Sequence, residues 1–512
     1  MIAATKSRWA PRAIERLCDG LIDPNRRERT AVIVLLCYAA LWTLYGALAK
    51  SSQDIHFDMG EMVAWSRELD WGTPKHPPLG AWLVRLWFSV FPAADWAYYL
   101  LAMLLASIAL WVAWRISDRF LDPEKRVAGL ALLMLVPFFN FHALKFNANT
   151  IMIPVWALAT WAFLRSFEAP RPFPAALAGL AAAAAMLGKY WSVFLLAGLV
   201  VAALSDPRRG RYFRSAAPWI TVLVGFAALA PHLAWLVAHD FPPFKYAVAS
   251  HPGTLWSAAR SGADYVLGAV GYIALPVVIG LALARPSRAA LADTVWPHDP
   301  DRRFIVLAFA APIVLPILAA MLAKADIVSL WAMGSMTLLP VVLLSSPRLT
   351  LTREAVAGLV MLAIGVPVVL TALAPAIAFV IHQRGIDHHA THYRLLAQAV
   401  ERAWRQTTDR PLRLVGSYDN LLNGMAFYFA DRPSTAEIVN PERTPWADEA
   451  RIAREGIALA CPVDERPCMK ALAARAAHSP DARRTDVEIA RRFFGTDDRP
   501  ERFVIVVIPP RT

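Results

Sequence analysis

Ionisable side chains are concentrated in one segment, residues 54–79, directly after the first long apolar run; it reads DIHFDMGEMVAWSRELDWGTPKHPPL. Charges beside such a run are costly unless they face water or take part in a reaction. Asp58 and Glu61 are three residues apart, so in a helix both carboxylates would lie on one face. Such a pair can supply a general base and a group that orients an acceptor. Ordinary surface carboxylates on a solvated helix are the alternative. We expect Asp54 and Asp70 to be solvated.

The same segment ends in a basic corner, KHPPL, which contains Lys75 and His76. Proline restricts its own backbone and that of the residue before it, so this run predicts an extended entry into the next apolar piece. It would hold Lys75 and His76 at the membrane surface, where cations can bind a phosphate. A simple helix-start signal is an equally good interpretation.

Three further lysines stand near the ends of apolar runs: Lys145 in NFHALKFN, Lys189 in LGKYW and Lys245 in HDFPPFKYAVASH. Lysines at such positions often only extend their ammonium groups to the interface. Because loop alternation puts all three on the side of the acidic segment, we predict that they help to bind an anionic ligand. The aromatic residues around Lys245 could line a groove for a lipid chain or a sugar, or form an interfacial belt.

No metal and no cofactor is expected. Asp54, His56 and Asp58 alternate and could converge on a cation if extended, but short polar loops often produce such spacings. His388 and His392 are four residues apart, yet no further ligand stands at a spacing typical of zinc sites.

These residues must be positioned by membrane helices. The chain has 512 residues, of which 57% are hydrophobic, and a mean hydropathy of +0.41, which predicts an α-helical polytopic membrane protein. About eleven apolar runs approach the length needed to cross the hydrocarbon core. We expect residues 79–91 to form an interfacial or re-entrant helix. The predicted spans are 31–49, 96–116, 127–140, 148–166, 173–188, 190–204, 216–238, 264–284, 304–323, 327–345 and 354–382.

Orientation follows from the basic residues. Alternate loops, beginning with the N-terminal segment, carry most of the arginines, so these are predicted to be cytoplasmic. The acidic segment and the C-terminal tail then lie outside, which in a bacterium is the periplasmic face of the inner membrane. The net charge of +12 is explained by these loops, and because no basic stripe is interleaved with aromatic residues, no nucleic-acid partner is expected.

The tail has the composition of a soluble domain. We predict a membrane domain at 1–383, with a catalytic outer loop at about 50–78, and a small α/β domain at 384–512. Strand-like runs at 412–418, 436–440 and 503–508 alternate with helical runs such as 392–406. Cys461 and Cys468 could form a disulfide if the tail is extracytoplasmic.

The outer loop resembles a known family. The run W-S-x-x-L-x-W-G (Trp65 to Gly72) and the run HPPL (His76 to Leu79), after an acidic opening, are similar to bacterial GT-C glycosyltransferases. These are related to protein O-mannosyltransferases and to the lipid A aminoarabinose and galacturonic acid transferases. The resemblance implies that Asp58 is the catalytic base. Met59 follows it where the family often has Glu, so Glu61 is the candidate second acid. The basic residue before the proline pair is His76, with Lys75 beside it.

The resemblance implies an inverting transfer of a sugar from a polyprenyl-phosphate carrier to a cell-envelope acceptor: lipid A, core oligosaccharide, another glycolipid or a protein. Some of Lys75, His76, Lys145, Lys189 and Lys245 would bind the phosphate. The main alternative is a transporter or flippase for a lipid-linked or anionic solute. A transporter would place ionisable groups near the midplane and show related halves. A non-catalytic assembly protein, in which the tail binds a partner, is the third hypothesis.

Overall fold

Apolar runs fold as helices because, in hydrocarbon, a helix satisfies all its backbone groups within one segment. The computed structural model describes residues 11–385 and 390–511, so His388 lies outside the described residues. Its helices before the tail are α1 (Arg12–Ile22), α2 (Arg27–Ala49), α3 (Phe57–Glu68), α4 (Leu79–Val90), α5 (Asp95–Ser117), α6 (Pro123–Leu135), α7 (Ala148–Glu168), α8 (Pro172–Gly188), α9 (Ser192–Ser205), α10 (Arg209–Phe213), α11 (Ala217–Ala238), α12 (Pro242–Ser250), α13 (Leu255–Ala284), α14 (Arg288–Val295), α15 (Pro300–Ala323), α16 (Leu339–Leu344) and α17 (Arg353–Arg384).

Within the described ranges, seven helices are long and apolar enough to cross a membrane: α2, α5, α7, α11, α13, α15 and α17. The chain is therefore a multi-pass membrane protein, but a count of eleven spans is not confirmed. Four further apolar helical segments are shorter: α4, α8, α9 and Ser329–Leu344. At 1.5 Å per residue, α8 and α9 are only about 26 and 21 Å long. Residues 329–338, predicted as part of a span, form a 3₁₀ helix that leads into α16. The predicted helix at 79–91 is confirmed as α4.

The chain divides into two compact units. The first comprises Met1–Thr43, Trp71–Leu79 and Leu100–Val369, and the second comprises Leu44–Asp70, Gly80–Tyr99 and Leu370–Thr512. The second unit therefore includes the start of the outer loop as well as the tail. The predicted domain division at residue 383 stays a prediction.

Helices of the first unit pack through small residues. A Cβ atom on Gly179 of α8 would lie 2.5 Å from the backbone oxygen of Thr221 in α11. The Thr221 hydroxyl also donates a hydrogen bond to the carbonyl of Ala175, at 3.0 Å. The Ala-rich sequence of α8 thus serves close helix packing, which membrane helices need in place of a hydrophobic driving force.

The tail folds as a five-stranded mixed sheet with helices on both faces. The strand order is β2-β1-β3-β7-β4; β1 runs parallel to β2 and β3, and β7 runs antiparallel to β3 and β4. The small α/β domain is thereby confirmed. Its strands are β1 (Leu414–Ser417), β2 (Ser434–Glu437), β3 (Ile457–Pro462), β4 (Arg483–Ile489), β5 (Arg492–Phe493), β6 (Thr496–Asp497) and β7 (Glu501–Ile508). Its helices are α18 (Tyr393–Thr407), α19 (Asp419–Ala426), α20 (Glu449–Glu455) and α21 (Arg466–Ala477).

Successive side chains of a strand point to opposite faces of the sheet, so apolar residues of the same strands form one hydrophobic core on each face. Ile505 of β7 packs in one cluster with Val400 and Trp404 of α18, and its neighbour Val506 packs in the other with Leu472 of α21. Cys461 of β3 and Cys468 of α21 form a disulfide, with Cα atoms 5.7 Å apart.

Candidate active site

The acidic pair lies on α3, as the spacing predicts. His56 caps the helix, since its Nδ1 accepts a hydrogen bond from the Asp58 amide at 3.1 Å, and Leu69 ends it in the left-handed conformation (φ 47°). The Asp58 side chain keeps 19% exposure, while Glu61 is buried at 6%. Asp58 stands in the first turn, where the helix dipole favours a negative charge. One accessible carboxylate and one buried carboxylate therefore share a helix face.

Contacts with the tail fix α3 inside the second unit. Gly60 packs directly against the backbone oxygen of Asn423 in α19, where a Cβ atom would collide. The Tyr98 hydroxyl donates to the carbonyl of Met59 at 2.8 Å. Arg67 donates hydrogen bonds to the carbonyls of Ala426 and Pro433. The helix that carries the acidic pair is thus held by the domain whose role the sequence did not indicate.

Asp54 is not solvated, so that prediction is wrong. It is 2% exposed, and its Oδ1 accepts a hydrogen bond from Nη2 of Arg491 at 2.5 Å. Its Oδ2 accepts from the Arg394 amide at 2.9 Å. The reason is that a buried carboxylate needs charged or hydrogen-bonding partners, and the tail supplies both arginines. Asp70 is exposed, as expected.

The basic corner is fixed in the first unit by its own turn. The Thr73 hydroxyl accepts a hydrogen bond from the His76 amide at 2.9 Å and donates one to the His76 carbonyl at 2.7 Å. Trp71, which precedes this turn, bonds through its carbonyl to Nδ1 of His232 at 2.7 Å. The Nζ of Lys75 lies 5.4 Å from the centre of the Tyr246 ring. Lys75 is therefore held beside an aromatic face.

Lys189 lies at the break between α8 and α9, in an extended conformation. Its Nζ donates to Oδ1 of Asn149 at 2.5 Å and stands 4.7 Å from the Trp331 ring centre. His251 meets the same indole edge-on at 5.3 Å. Lys189 is buried, at 9% exposure, and the break places its ammonium group against polar and aromatic partners.

Lys189 and His251 both contact the Trp331 ring. Burial lowers the pKa of His251, the charges of Lys189 and Lys75 lower it further, and Asp326 opposes them. Oδ1 of Asp326 is buried and has no hydrogen-bond partner among the described residues. His251, Trp331 and Asp326 were not singled out from the sequence. An isolated acid between two apolar runs was the available signal for Asp326.

The two remaining predicted lysines, Lys245 and Lys145, have different surroundings. Lys245, on α12, is exposed and forms an ion pair with Asp240. Lys145 lies in the turn before α7, where its carbonyl accepts a hydrogen bond from the Thr150 hydroxyl at 2.7 Å.

The described residues thus form a multi-pass membrane protein with a helix-borne acidic pair and a separate lysine pair. A sequence model of the dolichyl-phosphate-mannose-protein mannosyltransferase family matches residues 75–235. The chain is 25% identical to lipid A galacturonosyltransferase RgtD of Rhizobium johnstonii, over 65% of this chain and 70% of that protein. It is 26% identical to lipopolysaccharide core galacturonosyltransferase RgtB of the same organism, over 62% of this chain and 66% of that protein.

Solved structures share the fold. The crystal structure of ArnT from Cupriavidus metallidurans bound to undecaprenyl phosphate matches with a TM-score of 0.62 at 14% identity, covering 93% of this chain and 97% of that one. The apo structure matches with a TM-score of 0.61. The family model, the two relatives and the shared fold confirm the predicted resemblance to GT-C glycosyltransferases.

Proposed function

We propose that this protein transfers a sugar from a polyprenyl-phosphate carrier to a glycolipid of the cell envelope, at the periplasmic face of a bacterial inner membrane. The observation that carries the proposal is a pair of lysines that are each held beside an aromatic ring, Lys75 at Tyr246 and Lys189 at Trp331. Two ammonium groups beside aromatic faces suit a phosphate attached to a lipid chain and a sugar. The bound undecaprenyl phosphate of the ArnT structure supports this choice of carrier.

In the proposed reaction, the acceptor hydroxyl oxygen attacks the anomeric carbon while the bond from that carbon to the phosphate oxygen breaks. Asp58 takes the hydroxyl proton, a type of assistance typically worth about 10²- to 10⁴-fold in rate. Glu61 orients the acceptor from the same helix face. The polyprenyl phosphate leaves with the bonding electron pair, and the configuration at the anomeric carbon inverts.

Negative charge grows on the phosphate as it leaves, so fixed cations stabilise the transition state more than the bound donor. We assign this role to Lys75, His76 and Lys189. Lys145 and Lys245 remain candidates for contacts with the donor. None of these steps requires a metal or a cofactor.

The periplasmic orientation is supported by two independent features. The arginine-rich loops fall on the opposite side by alternation, and the disulfide between Cys461 and Cys468 belongs to an oxidising compartment. A glycolipid acceptor is favoured over a protein because both sequence relatives are named for lipid A or lipopolysaccharide core.

The test uses purified protein in lipid nanodiscs with radiolabelled undecaprenyl-phosphate sugars, and scores free carrier phosphate with and without a glycolipid acceptor. The proposal predicts release that depends on the acceptor. Movement of intact donor across a vesicle membrane without release would favour a flippase. Release only with a protein acceptor would overturn the choice of glycolipid.

A further inference from the structure

A cleft of about 410 Å³ opens in the second unit beside α3, α4 and the tail. Its polar lining consists of three arginines and three serines: Arg67, Arg85, Arg432, Ser66, Ser89 and Ser434. Phe88 and Phe427 form part of an apolar wall, with ring centres 5.4 Å apart. The lining therefore combines donors for an anion with a surface for a sugar ring or a lipid chain.

No carboxylate lines the cleft among the residues that the structure describes. Among the residues that the structure describes, no carboxylate forms an ion pair with Arg85 or Arg432. Burial and the charge of Arg432 lower the pKa of Arg67 to about 9; Glu68 opposes this and Arg85 adds to it. Glu68 in turn faces Arg451, at 3.8 Å. Arg85 and Arg432 both act on Arg67, and a cleft lined by three arginines and no carboxylate suits an external anion.

Arg67 is preorganised in this cleft, because the carbonyls of Ala426 and Pro433 hold its guanidinium. Arg85 and Arg432 are exposed side chains that reach the same space from α4 and from the turn after α19. One fixed and two adjustable guanidinium groups can close on a phosphate or carboxylate, and Arg binds such groups through paired, planar hydrogen bonds.

The neighbouring surface of α4 is apolar. Leu86 is 67% exposed and Val90 is 76% exposed, directly after Arg85 and Ser89 in the sequence. Large exposed aliphatic side chains on a short helix beside membrane spans are expected to contact acyl chains. An anion that enters the cleft from this side would be the headgroup of a lipid.

We propose that the cleft binds the anionic group of a phosphorylated glycolipid and that this glycolipid is the acceptor. The proposal rests on the proposed glycosyl transfer and names its acceptor class. Arg67 follows Asp58 by nine residues on the same helix, which places the two about 13 Å apart along its axis. The phosphate is thus anchored away from the reacting hydroxyl, and α3 sets the distance between them.

The test compares Arg85→Gln, Arg432→Gln and the double variant with Arg410→Gln, an exposed arginine of the same unit. The acceptors are lipid A and enzymatically dephosphorylated lipid A in nanodiscs. Loss of charged hydrogen bonds should raise the KM for lipid A about tenfold or more in the double variant, with little change in kcat. The KM for dephosphorylated lipid A, the KM for the donor and all values for Arg410→Gln should stay as in the wild type.

Equal loss with both acceptors would contradict the proposal, because the arginines would then act through the fold. Binding of radiolabelled lipid A to the wild type and the double variant is measured separately from turnover. The binding role of the cleft is therefore tested even if the protein shows no glycosyl transfer. Competition by phosphatidylglycerol at equal concentration would show a general anionic-lipid site and overturn the acceptor assignment. Competition by dephosphorylated lipid A as strong as by lipid A would overturn the role of the phosphate.

Discussion

Asp54 and Arg491 are joined by a hydrogen-bonded ion pair of 2.5 Å although 437 residues separate them in the sequence. Arg394 adds a second guanidinium, with its Nε 3.7 Å from Asp54. Since Asp54 stands just before α3, the tail fixes the start of the helix that carries Asp58 and Glu61. The domain that has no recognisable motif is thereby assigned a positioning role.

Replacement of Asp54 should therefore weaken both the fold and the activity. Asp54→Ala leaves Arg491, whose side chain is 13% exposed, without its carboxylate, a change that typically costs about 3–5 kcal/mol for a buried pair; Arg394 keeps its ion pair with Asp95. We expect a lower midpoint of thermal unfolding and a strong loss of transfer. Asp70→Asn, at an exposed site of the same segment, is the matched control. An Asp54→Ala protein with the stability and the rate of that control would contradict the positioning role.

Lys75 and Lys189 are expected to act on the donor. Lys189→Met and Lys75→Met each remove a charged hydrogen-bond donor, worth about 1.5–3 kcal/mol, and should lower kcat/KM for the donor about 10- to 100-fold. Lys470→Met, at an exposed lysine of the tail, should leave it unchanged. Steady-state kinetics with varied donor measure the effect. Rates for both variants equal to that of Lys470→Met would exclude this phosphate site.

Glu437 predicts a pH dependence of stability. Burial raises the pKa of this carboxyl to about 7; the Val439 amide opposes the shift and Asp419 adds to it. Because the folded state holds the proton more tightly than the unfolded one, this group's contribution is complete below pH 4.5 and is lost as the pH rises towards 7. Glu437→Gln should therefore unfold at a higher temperature than the wild type at pH 8 and at a similar one at pH 4.

The control for Glu437 is Glu488→Gln, at an exposed glutamate of β4, which should show the wild-type pH dependence. Unfolding is followed by circular dichroism of the full-length protein between pH 4 and pH 8. If the unfolding temperature of Glu437→Gln changes with pH as that of the wild type does, ionisation of Glu437 does not destabilise the fold and the prediction is wrong.

The disulfide predicts the redox compartment of the tail. Of the four cysteines, Cys461 and Cys468 are bonded, and Cys18 and Cys37 are free thiols. Protein isolated in the presence of an alkylating agent should carry two labels after denaturation, and four when a reductant is added first. Mass spectrometry counts the labels. Four labels without reductant would place the tail in a reducing compartment and contradict the periplasmic orientation.

Features that depend on residues close together in the sequence could be predicted from it. The spacing of Asp58 and Glu61 placed both on one helix, and α18 and three of the tail strands follow their patterns. Strands β3 and β4 were not predicted; the residues of β4 are mostly exposed and charged and so lack an apolar pattern. The predicted count of eleven spans is not confirmed, since runs such as 190–204 are apolar but form helices shorter than the hydrocarbon core.

Features that depend on distant residues could not be predicted in this way. The burial of Asp54 requires Arg394 and Arg491 from the tail, and neither arginine stands in a recognisable pattern. The contact of Lys189 with Trp331 likewise depends on the break after Gly188, and the position of Lys75 beside Tyr246 depends on the turn at Thr73. The break and the turn are local features, but the contacts that they give Lys189 and Lys75 form only when the helices pack.

The Asp58→Asn protein tests most directly whether Asp58 is the catalytic base. Acceptor-dependent release of carrier phosphate is measured in nanodiscs for the wild type, Asp58→Asn and the control Asp70→Asn, with thermal unfolding checked for each. We predict that Asp58→Asn folds normally, binds the donor and loses about 10²- to 10⁴-fold in rate. A rate equal to that of Asp70→Asn would contradict the assignment.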